Sequence, residues 1–297
     1  MPKISVVMVD GSFRENFHSI DFFGNQTFSK DEYELLWVEY YDKVNPYLAK
    51  KLSKYPHFRI ITLKRGGVYH SSYCFNAGIC ASRGELLVIP DADQVVESDF
   101  LEIVCKVHQT NDKLAMYIYR YDEPERMHIQ GVSIEHLRKV CFLWNTENYG
   151  GCLTVRKKWL LKINGYEQHS IFGTGDHANG RDVYTRLKNL GLHVMWHPKL
   201  KLYHPRHPET LRSAPMHKIQ QVFINHRSKA LATLPFQGID PTKNPEPPKH
   251  LAAKIKEAIK SYSNKSMEPK KPRWRVREFA ERIPALPPFV RFIRRII

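Results

Sequence analysis

Short apolar runs rich in β-branched residues recur through the first third of the chain. They read ISVVMV (4–9), YELLWVE (33–39), FRIITL (58–63) and ELLVIP (85–90), and the polar segments between them have helical or turn character. Strands that alternate with helices in this way predict βαβ units and a mostly parallel sheet. Ligands of such open sheets bind at the carboxyl ends of the strands.

The same alternation continues beyond the fourth run. The predicted elements are a helix at 99–111, a strand at 114–123, a helix over VRKKWLLKING (155–165), a helix over RDVYTRLKNLG (181–191), and two short extended segments, HVMWHP (193–198) and KLYHPRHP (201–208). Glycines at the ends of the last two helices are typical stop signals. The pattern predicts an α/β fold with helices on the sheet.

A change of composition near residue 240 predicts a domain boundary. The stretch PTKNPEPPKH (241–250) holds four prolines and is typical of a linker. We therefore expect one large domain over 1–240 and a linker over 241–250. The last segment, 251–297, is predicted to form a basic, amphipathic helical tail.

The bulk composition favours a globular cytoplasmic protein. The chain has 297 residues, of which 42% are hydrophobic, enough for a sizeable core. Its five cysteines include no CxxC pair, which favours reduced core thiols over a disulfide framework. No run approaches the roughly 20 apolar residues of a transmembrane helix, and the opening strand-like run is too short for a signal peptide.

The net charge of +16, from 46 Lys and Arg against 30 Asp and Glu, predicts an anionic partner. Residues 265–297 carry ten of these basic and three of these acidic residues, so this segment alone supplies +7. An amphipathic basic tail suits an anionic membrane surface, and we expect a peripheral protein at the cytoplasmic face. A tail that folds back onto the catalytic domain, or that mediates self-association, is the alternative. Nucleic acid is not an expected partner, because the tail has a single tryptophan and no nucleic-acid module.

Two acidic residues follow the fourth apolar run directly, at Asp91 and Asp93. A solvated turn is the ordinary explanation of such a pair. Carboxylates held together at the end of a strand repel each other unless a cation neutralises them, and oxygen ligands suit Mn²⁺ or Mg²⁺ bridging a diphosphate. The position at a strand end favours the metal site, and we expect Asp91 and Asp93 to hold the metal and the diphosphate.

The residues that precede this pair carry a family resemblance. Within RGGVYHSSYCFNAGICASRGELLVIPDAD (65–93), a Gly-Gly turn, the segment from Asn76 to Ile79 and the segment from Ala81 to Glu85 stand in an order that resembles family 2 glycosyltransferases, which have the GT-A fold. The resemblance extends over roughly 3–205, and it implies a catalytic domain over 1–240 with a nucleotide-sugar half at 1–100 and an acceptor half at 101–240. It implies that Asp93 binds the metal, that Asp91 lies near the ribose, and that Asn76 belongs to the donor site.

By the same resemblance, the protein is a metal-dependent and inverting glycosyltransferase of the hexosyltransferase type. The implied donor is a UDP-like nucleotide-sugar, and the implied acceptor is a glycan or a lipid-linked glycan of cell-surface polysaccharide or glycolipid synthesis. Two alternatives stay open. One is a catalytically idle scaffold that binds nucleotide-sugar or membrane, and the other is a nucleotidyltransferase, although VDGSFRENF (9–17) lacks the glycine-rich phosphate loop expected of the latter.

Other donor residues are implied at similar positions. Glu39 ends the second apolar run where the family has an acid, so it is implied to accept from the base or ribose, although Tyr40 and Tyr41 replace the usual polar turn. An ordinary strand-end acid is the alternative. Gly150 and Gly151 resemble the family's paired glycines, whose backbone approaches the donor sugar.

The general base is the least certain position. The family has an aspartate six residues before an arginine, but six residues before Arg186 stands Gly180. Two acids remain near it: Asp176, in a glycine-bounded loop, and Asp182, one helical turn before Arg186. We predict Asp176 as the base and Asp182 as the second choice. A surface turn for Asp176, and a helix-end ion pair with Arg186 for Asp182, are the structural alternatives.

A histidine motif completes the predicted site. His204 in KLYHPRHP is similar to the extra metal ligand of several GT-A enzymes, and imidazole is an acceptable ligand of Mn²⁺. His207 is the second choice within this H-x-x-H motif, and a purely structural histidine is the alternative.

Overall fold

The structure is a computed structural model of the chain. It describes residues 2–14, 16–124, 131–173, 178–207 and 217–263. The strands are β1 Ile4–Asp10, β2 Tyr33–Glu39, β3 Phe58–Thr62, β4 Leu86–Pro90, β5 Leu114–Asp122, β6 Phe142–Leu143, β7 Cys152–Arg156 and β8 His193–His204. The α-helices are α1 His18–Gly24, α2 Pro46–Leu52, α3 Ser71–Ala81, α4 Phe100–Thr110, α5 Ile134–Val140, α6 Lys157–Lys162, α7 Ala178–Asn189, α8 His217–Ala230 and α9 Lys249–Ser263.

The strands form one mixed sheet in the order β3-β2-β1-β4-β7-β5-β6, and β8 pairs with β5. All pairs among β1 to β4 are parallel, as the sequence predicts. Strand β7 runs antiparallel to both β4 and β5, and β8 runs parallel to β5. The carboxyl ends of β1, β2 and β4 therefore meet at one edge, and β8 ends there beside β5.

The central strands are buried on both faces, which explains their continuous apolar runs. In β1, Val6 and Met8 pack on one side of the sheet, and Val7 and Val9 pack on the other. Helices α1, α2 and α4 cover the first side, and helices α3, α6 and α7 cover the second. Sheet and helices thus form a three-layer structure around two cores.

Two predicted boundaries were wrong. The helix predicted from residue 155 begins only at Lys157, because Val155 and Arg156 pair with β4 as the end of β7. The β-branched stretch before it already favours a strand, and pairing with the buried β4 decides the outcome. The two predicted extended segments, at 193–198 and from 201 on, join in one strand, β8, which ends at His204 and shifts register against β5 between Ile118 and Tyr119.

The segment after residue 240 packs against the part of the chain at 101–240. Leu251 and Ile255 of α9 are buried beside Phe223 of α8. In the predicted linker, residues 241–243 form a 3-10 turn, and Asn244 accepts from the Asn164 amide (3.2 Å). The stripe that the sequence assigns to a membrane surface therefore faces the protein at Leu251 and Ile255. Within the described ranges, no helix combines the length and the apolarity needed to cross a bilayer.

Candidate functional site

The carboxyl edge of the sheet gathers acidic side chains from three neighbouring strands. Asp10 ends β1, Glu39 ends β2, and Asp91 and Asp93 follow β4. Parallel pairing places Asp10 opposite Glu39 in register. The turn after β4 is held by α1, since the Ser19 hydroxyl donates to the Ala92 carbonyl (2.6 Å).

Asp93 meets both predicted histidines. His207 Nε2 lies 3.0 Å from Asp93 Oδ2, and His204 Nε2 lies 3.7 Å from Asp93 Oδ1. The two histidine Nε2 atoms are 3.2 Å apart. One ligand atom from each of the three residues lies within 4.8 Å of the others. A divalent cation held by carboxylate and imidazole needs such a convergence.

The surroundings of His204 match those of a metal-binding imidazole. Its Nδ1 lies 2.8 Å from Asp122 Oδ1, which leaves Nε2 directed at Asp93 and His207. Histidines that bind metals usually donate their second nitrogen to a carboxylate, which fixes the ring orientation. Asp122 is thus suited to hold the ring, and the residues fit a site for a divalent cation that accepts both carboxylate and imidazole.

The charges of the cluster are strongly coupled. Burial alone would raise the pKa of Asp93, but the charges of Arg14 and His204 hold that pKa well below its usual range. Burial would lower the pKa of His204, but the carboxylates of Asp93 and Asp122 raise it to about 9. In the absence of a cation, His204 is therefore protonated at neutral pH and neutralises part of the acidic cluster.

Asp91 lies at the mouth of the site with about a third of its side chain exposed. Its Oδ2 accepts from the Gln94 amide (3.2 Å) and lies 3.8 Å from the Arg120 guanidinium. Desolvation and the nearby charge of Asp93 raise its pKa. The carboxylate of Asp91 is therefore open to a ligand. The backbone N–H of Asp91 donates to the Gly151 carbonyl (3.0 Å).

Glu39 is more enclosed than the resemblance implies. Its Oε2 accepts from the backbone N–H (3.1 Å) and hydroxyl (3.0 Å) of Ser12, and its Oε1 accepts from the Trp37 indole (2.9 Å). Only 1% of the residue is exposed. In this arrangement Glu39 holds the turn after β1, and its predicted contact with the base stays a prediction.

Asn76 joins the two halves of the domain. Its Oδ1 accepts from the Tyr166 backbone N–H (2.7 Å), and its Nδ2 donates to the Tyr166 carbonyl (2.9 Å). Its amide is therefore engaged with the protein itself, and its predicted role in donor binding stays a prediction. Gly165 has a φ of +73°, and a Cβ there would overlap the Asn76 side chain, so glycine is required.

The paired glycines, Gly150 and Gly151, lie beside the start of α7. Neither Gly150 nor Gly151 is crowded, since an added Cβ would meet only Asn148 and Arg120 side-chain atoms at 3.4 Å or more. Gly180 in α7 is different, because a Cβ there would lie 2.6 Å from the Tyr149 carbonyl carbon. The backbone therefore closes the position where the resemblance places the catalytic acid.

Asp182 belongs to a buried network of charges. It pairs with Arg227 of α8, and its Oδ2 lies 2.8 Å from Arg186. Arg227 also pairs with Glu167, and Arg186 donates to the Gly165 carbonyl (2.7 Å). Asp182, Arg186, Arg227 and Glu167 have no exposed side-chain surface. Asp182 thus forms the ion pair with Arg186 that the sequence offers as its structural role. Its catalytic role stays a prediction. Asp176 lies outside the described residues.

Three residues of the site were missed by sequence reasoning. Asp122 ends β5 beside β8, Asp10 ends β1, and Arg14 follows it in the next turn. A search for acids at strand ends would have found Asp122 and Asp10. Arg14 carries no comparable signal, because its partner Asp93 lies 79 residues away in the chain.

The structure resembles solved nucleotide-sugar-binding proteins, although sequence comparison finds nothing. No family model matches the chain, and no curated protein matches it. The TarS 1–349 structure of S. aureus has a TM-score of 0.55 at 14% identity, covering 75% of this chain and 64% of TarS 1–349. The same protein in complex with UDP-GlcNAc gives 0.53 at 14% identity, with 75% and 65% covered.

The mannosyltransferase PcManGT from Pyrobaculum calidifontis, in complex with GDP-Man and Mn²⁺, gives a TM-score of 0.52 at 14% identity. The match covers 86% of this chain and 69% of PcManGT. At these identities the likeness shows the fold: a GT-A type of α/β fold with a mostly parallel sheet flanked by helices, as the sequence predicts.

Proposed function

We propose that the protein is a metal-dependent glycosyltransferase that takes a sugar from a nucleotide-sugar donor and transfers it with inversion. The observation that carries the proposal is the convergence of Asp93, His204 and His207 at the carboxyl edge of the sheet, with Asp122 behind His204. The GT-A fold supports it, because structures of this fold were solved with UDP-GlcNAc and with GDP-Man and Mn²⁺.

In this proposal Asp93, His204 and His207 hold the cation, and Asp91 lies at the mouth toward the donor. A Mn²⁺ or Mg²⁺ ion held by these residues would supply positive charge to neutralise a nucleoside diphosphate leaving group. Asp122 keeps the His204 ring oriented. The donor is a UDP-sugar in this proposal, with its base near Glu39 and with Gly150 and Gly151 beside the sugar.

The acceptor side is proposed to lie near β6. Phe142 pairs with Asp122, so its side chain shares the face of the sheet that carries the cation site. Phe142 and Trp144 are 41% and 76% exposed, with ring centroids 5.8 Å apart. Exposed aromatic rings beside a polar site suit stacking on a pyranose ring of a glycan acceptor. Asp176 is proposed as the base that deprotonates the acceptor hydroxyl.

The remaining parts of the proposal concern the setting of the reaction. A hexose from the donor would join a glycan or lipid-linked acceptor in the synthesis of cell-surface polysaccharide or glycolipid. The basic segment after Pro248 would hold the protein at the cytoplasmic face of an anionic membrane. A chain ending at Pro248 should then stop pelleting with phosphatidylglycerol vesicles, and unchanged pelleting would remove the membrane from the proposal.

The test is nucleotide release from a panel of UDP-, GDP- and other nucleotide-sugars with Mn²⁺. The wild type should release nucleotide from at least one donor, and both Asp93→Asn and removal of Mn²⁺ with EDTA should abolish the release. Arg138→Gln is the control, because this exposed arginine pairs with Glu97 outside the cluster. Donor binding without release in the wild type would favour the idle scaffold, and neither binding nor release would end the proposal.

A further inference from the structure

Arg14 lies between two carboxylates that belong to different strand ends. Its Nη1 donates to Asp93 Oδ2, and its Nε lies 3.6 Å from Asp10 Oδ1. The side chain is 17% exposed, so solvent and small ions reach it. One arginine therefore connects the end of β1 with the proposed cation site.

We propose that Arg14 is a resident counter-ion that occupies Asp93 until a divalent cation binds, and that it then closes onto Asp10. The inference rests on the proposed function, because it takes Asp93 as a cation ligand. It adds a residue and a movement that the cation site alone does not imply.

Competition at Asp93 is the first argument. Arg14 and His207 both contact Oδ2, and His204 faces Oδ1 at 3.7 Å. A cation bound between Asp93 and the histidines needs a lone pair of this carboxylate. The guanidinium also places a positive charge beside the point where the cation would bind, and like charges in a partly buried site repel strongly. Arg14 must therefore leave Asp93 for a cation to bind well.

Asp10 supplies the second argument. It is 1% exposed, and among the described residues no side chain donates a hydrogen bond to it, although the backbone N–H groups of Gly11 and Arg14 interact with it. A buried carboxylate without a close cationic partner is costly, so this one needs an explanation. Its neighbour Glu39 has no donor to offer, since its own oxygens accept from Ser12 and Trp37. Among the described residues, the Nε of Arg14 likewise makes no hydrogen bond.

The movement required is small. A shift of under about 1 Å brings the Nε of Arg14 from 3.6 Å to the ordinary hydrogen-bond distance of about 2.9 Å from Asp10. At that distance the guanidinium would lower the pKa of Asp10, as it already does for Asp93. When the guanidinium turns away from Asp93, Arg14 thus has a second carboxyl group within reach, whose ionised form it stabilises, and the cation gains a free ligand oxygen.

The test is a double-mutant cycle with Mn²⁺ alone as the probe, measured by calorimetric titration or by the electron paramagnetic resonance of free Mn²⁺. Arg14→Gln should bind Mn²⁺ at least about tenfold more tightly than wild type, since a charge-assisted hydrogen bond no longer competes. Asp10→Asn should bind it several-fold more weakly. In the Arg14→Gln background, Asp10→Asn should have no effect on Mn²⁺ affinity.

The controls separate this mechanism from a simple change of charge. Arg138→Gln removes the same charge at an exposed position and should leave Mn²⁺ affinity within twofold. If Asp10→Asn weakens Mn²⁺ binding equally with and without Arg14, or if Arg14→Gln weakens or does not change it, the inference is overturned. Arg14→Met is measured beside Arg14→Gln, and thermal melts establish that each variant folds.

Failure of the proposed function is distinguishable from failure of this inference. If neither wild type nor folded Arg14→Gln binds Mn²⁺, the cation site itself is absent and both fall. If the wild type binds Mn²⁺ and Asp93→Asn does not, the site stands, and an unchanged Arg14→Gln overturns the counter-ion alone.

Discussion

Replacing Asp182 by asparagine should cost stability rather than chemistry. The carboxylate is shared by two arginines, Arg186 and Arg227, and has no exposed surface. The asparagine keeps the volume and one acceptor oxygen but removes the only charge that Asp182 contributes. Arg227 then keeps Glu167, whereas Arg186 keeps only the Gly165 and Ile163 carbonyls, which it already contacts.

The magnitude follows from the loss of a buried partner. Removing one member of a buried ion pair typically costs about 3–5 kcal/mol, because the other member stays buried and uncompensated. With one acceptor kept, we expect a loss of about 3 kcal/mol in the free energy of unfolding. For a domain of this size, that lowers the melting temperature by about 6–12 °C.

Thermal melts followed by circular dichroism measure this loss, and donor hydrolysis at 15 °C measures the chemistry. The matched control is Asp112→Asn, which removes an exposed carboxylate paired with Lys158 and should cost under about 1 kcal/mol. Asp176→Asn should show the opposite profile, with transfer lost while the melt and donor binding are kept. A melting temperature of Asp182→Asn within about 1 °C of wild type, together with lost transfer, would refute the reasoning and make Asp182 the base.

Three further predictions test other parts of the structure. Asp122→Asn keeps every proposed ligand and should lower Mn²⁺ affinity about 10–100-fold by titration; an unchanged affinity would deny Asp122 its orienting role. Burial and the charge of Glu39 raise the pKa of Asp10 to about 8, so ionising Asp10 costs stability as pH rises from about 4 toward 8. Asp10→Asn should therefore gain melting temperature over wild type between pH 5 and 8 in EDTA, and a constant difference would contradict this. Leu251→Ala should cost about 2–4 kcal/mol in denaturant unfolding if α9 packs on α8, and under 0.5 kcal/mol if it does not.

The donor half of the fold is readable from the sequence because its signals are local. The runs at 4–9, 33–39, 58–63 and 85–90 become β1 to β4. Strands β1, β2 and β4 are buried on both faces and need continuous apolar residues, whereas β3 lies at the edge and is only partly buried. The acids that end them follow from the same pattern. The acceptor half is less readable, because Val155 and Arg156 become a strand only through pairing with β4.

The residues of the candidate site also differ in how far the sequence predicts them. The resemblance and the H-x-x-H motif single out Asp93, His204 and His207, and the structure brings them together. The partners that set their charge state come from distant segments with no motif. Arg14 approaches Asp93 from the turn after β1, and Asp122 approaches His204 through the β5–β8 pairing. Such contacts depend on topology, which the order of residues does not reveal.

The segment around Glu167 is held in place by a charge from a helix much later in the chain. Arg227 of α8 holds Glu167, and Glu167 in turn accepts from the backbone N–H of His169 (3.0 Å) and of Gln237 (2.9 Å). The segment that leads toward Asp176 is therefore anchored by a helix late in the chain. A side chain at Gly180 would overlap the Tyr149 backbone, so the start of α7 also lies tightly against the segment before β7. The buried network therefore joins α7, α8 and the segment of Glu167, and losing one of its charges is expected to lower the stability of the fold.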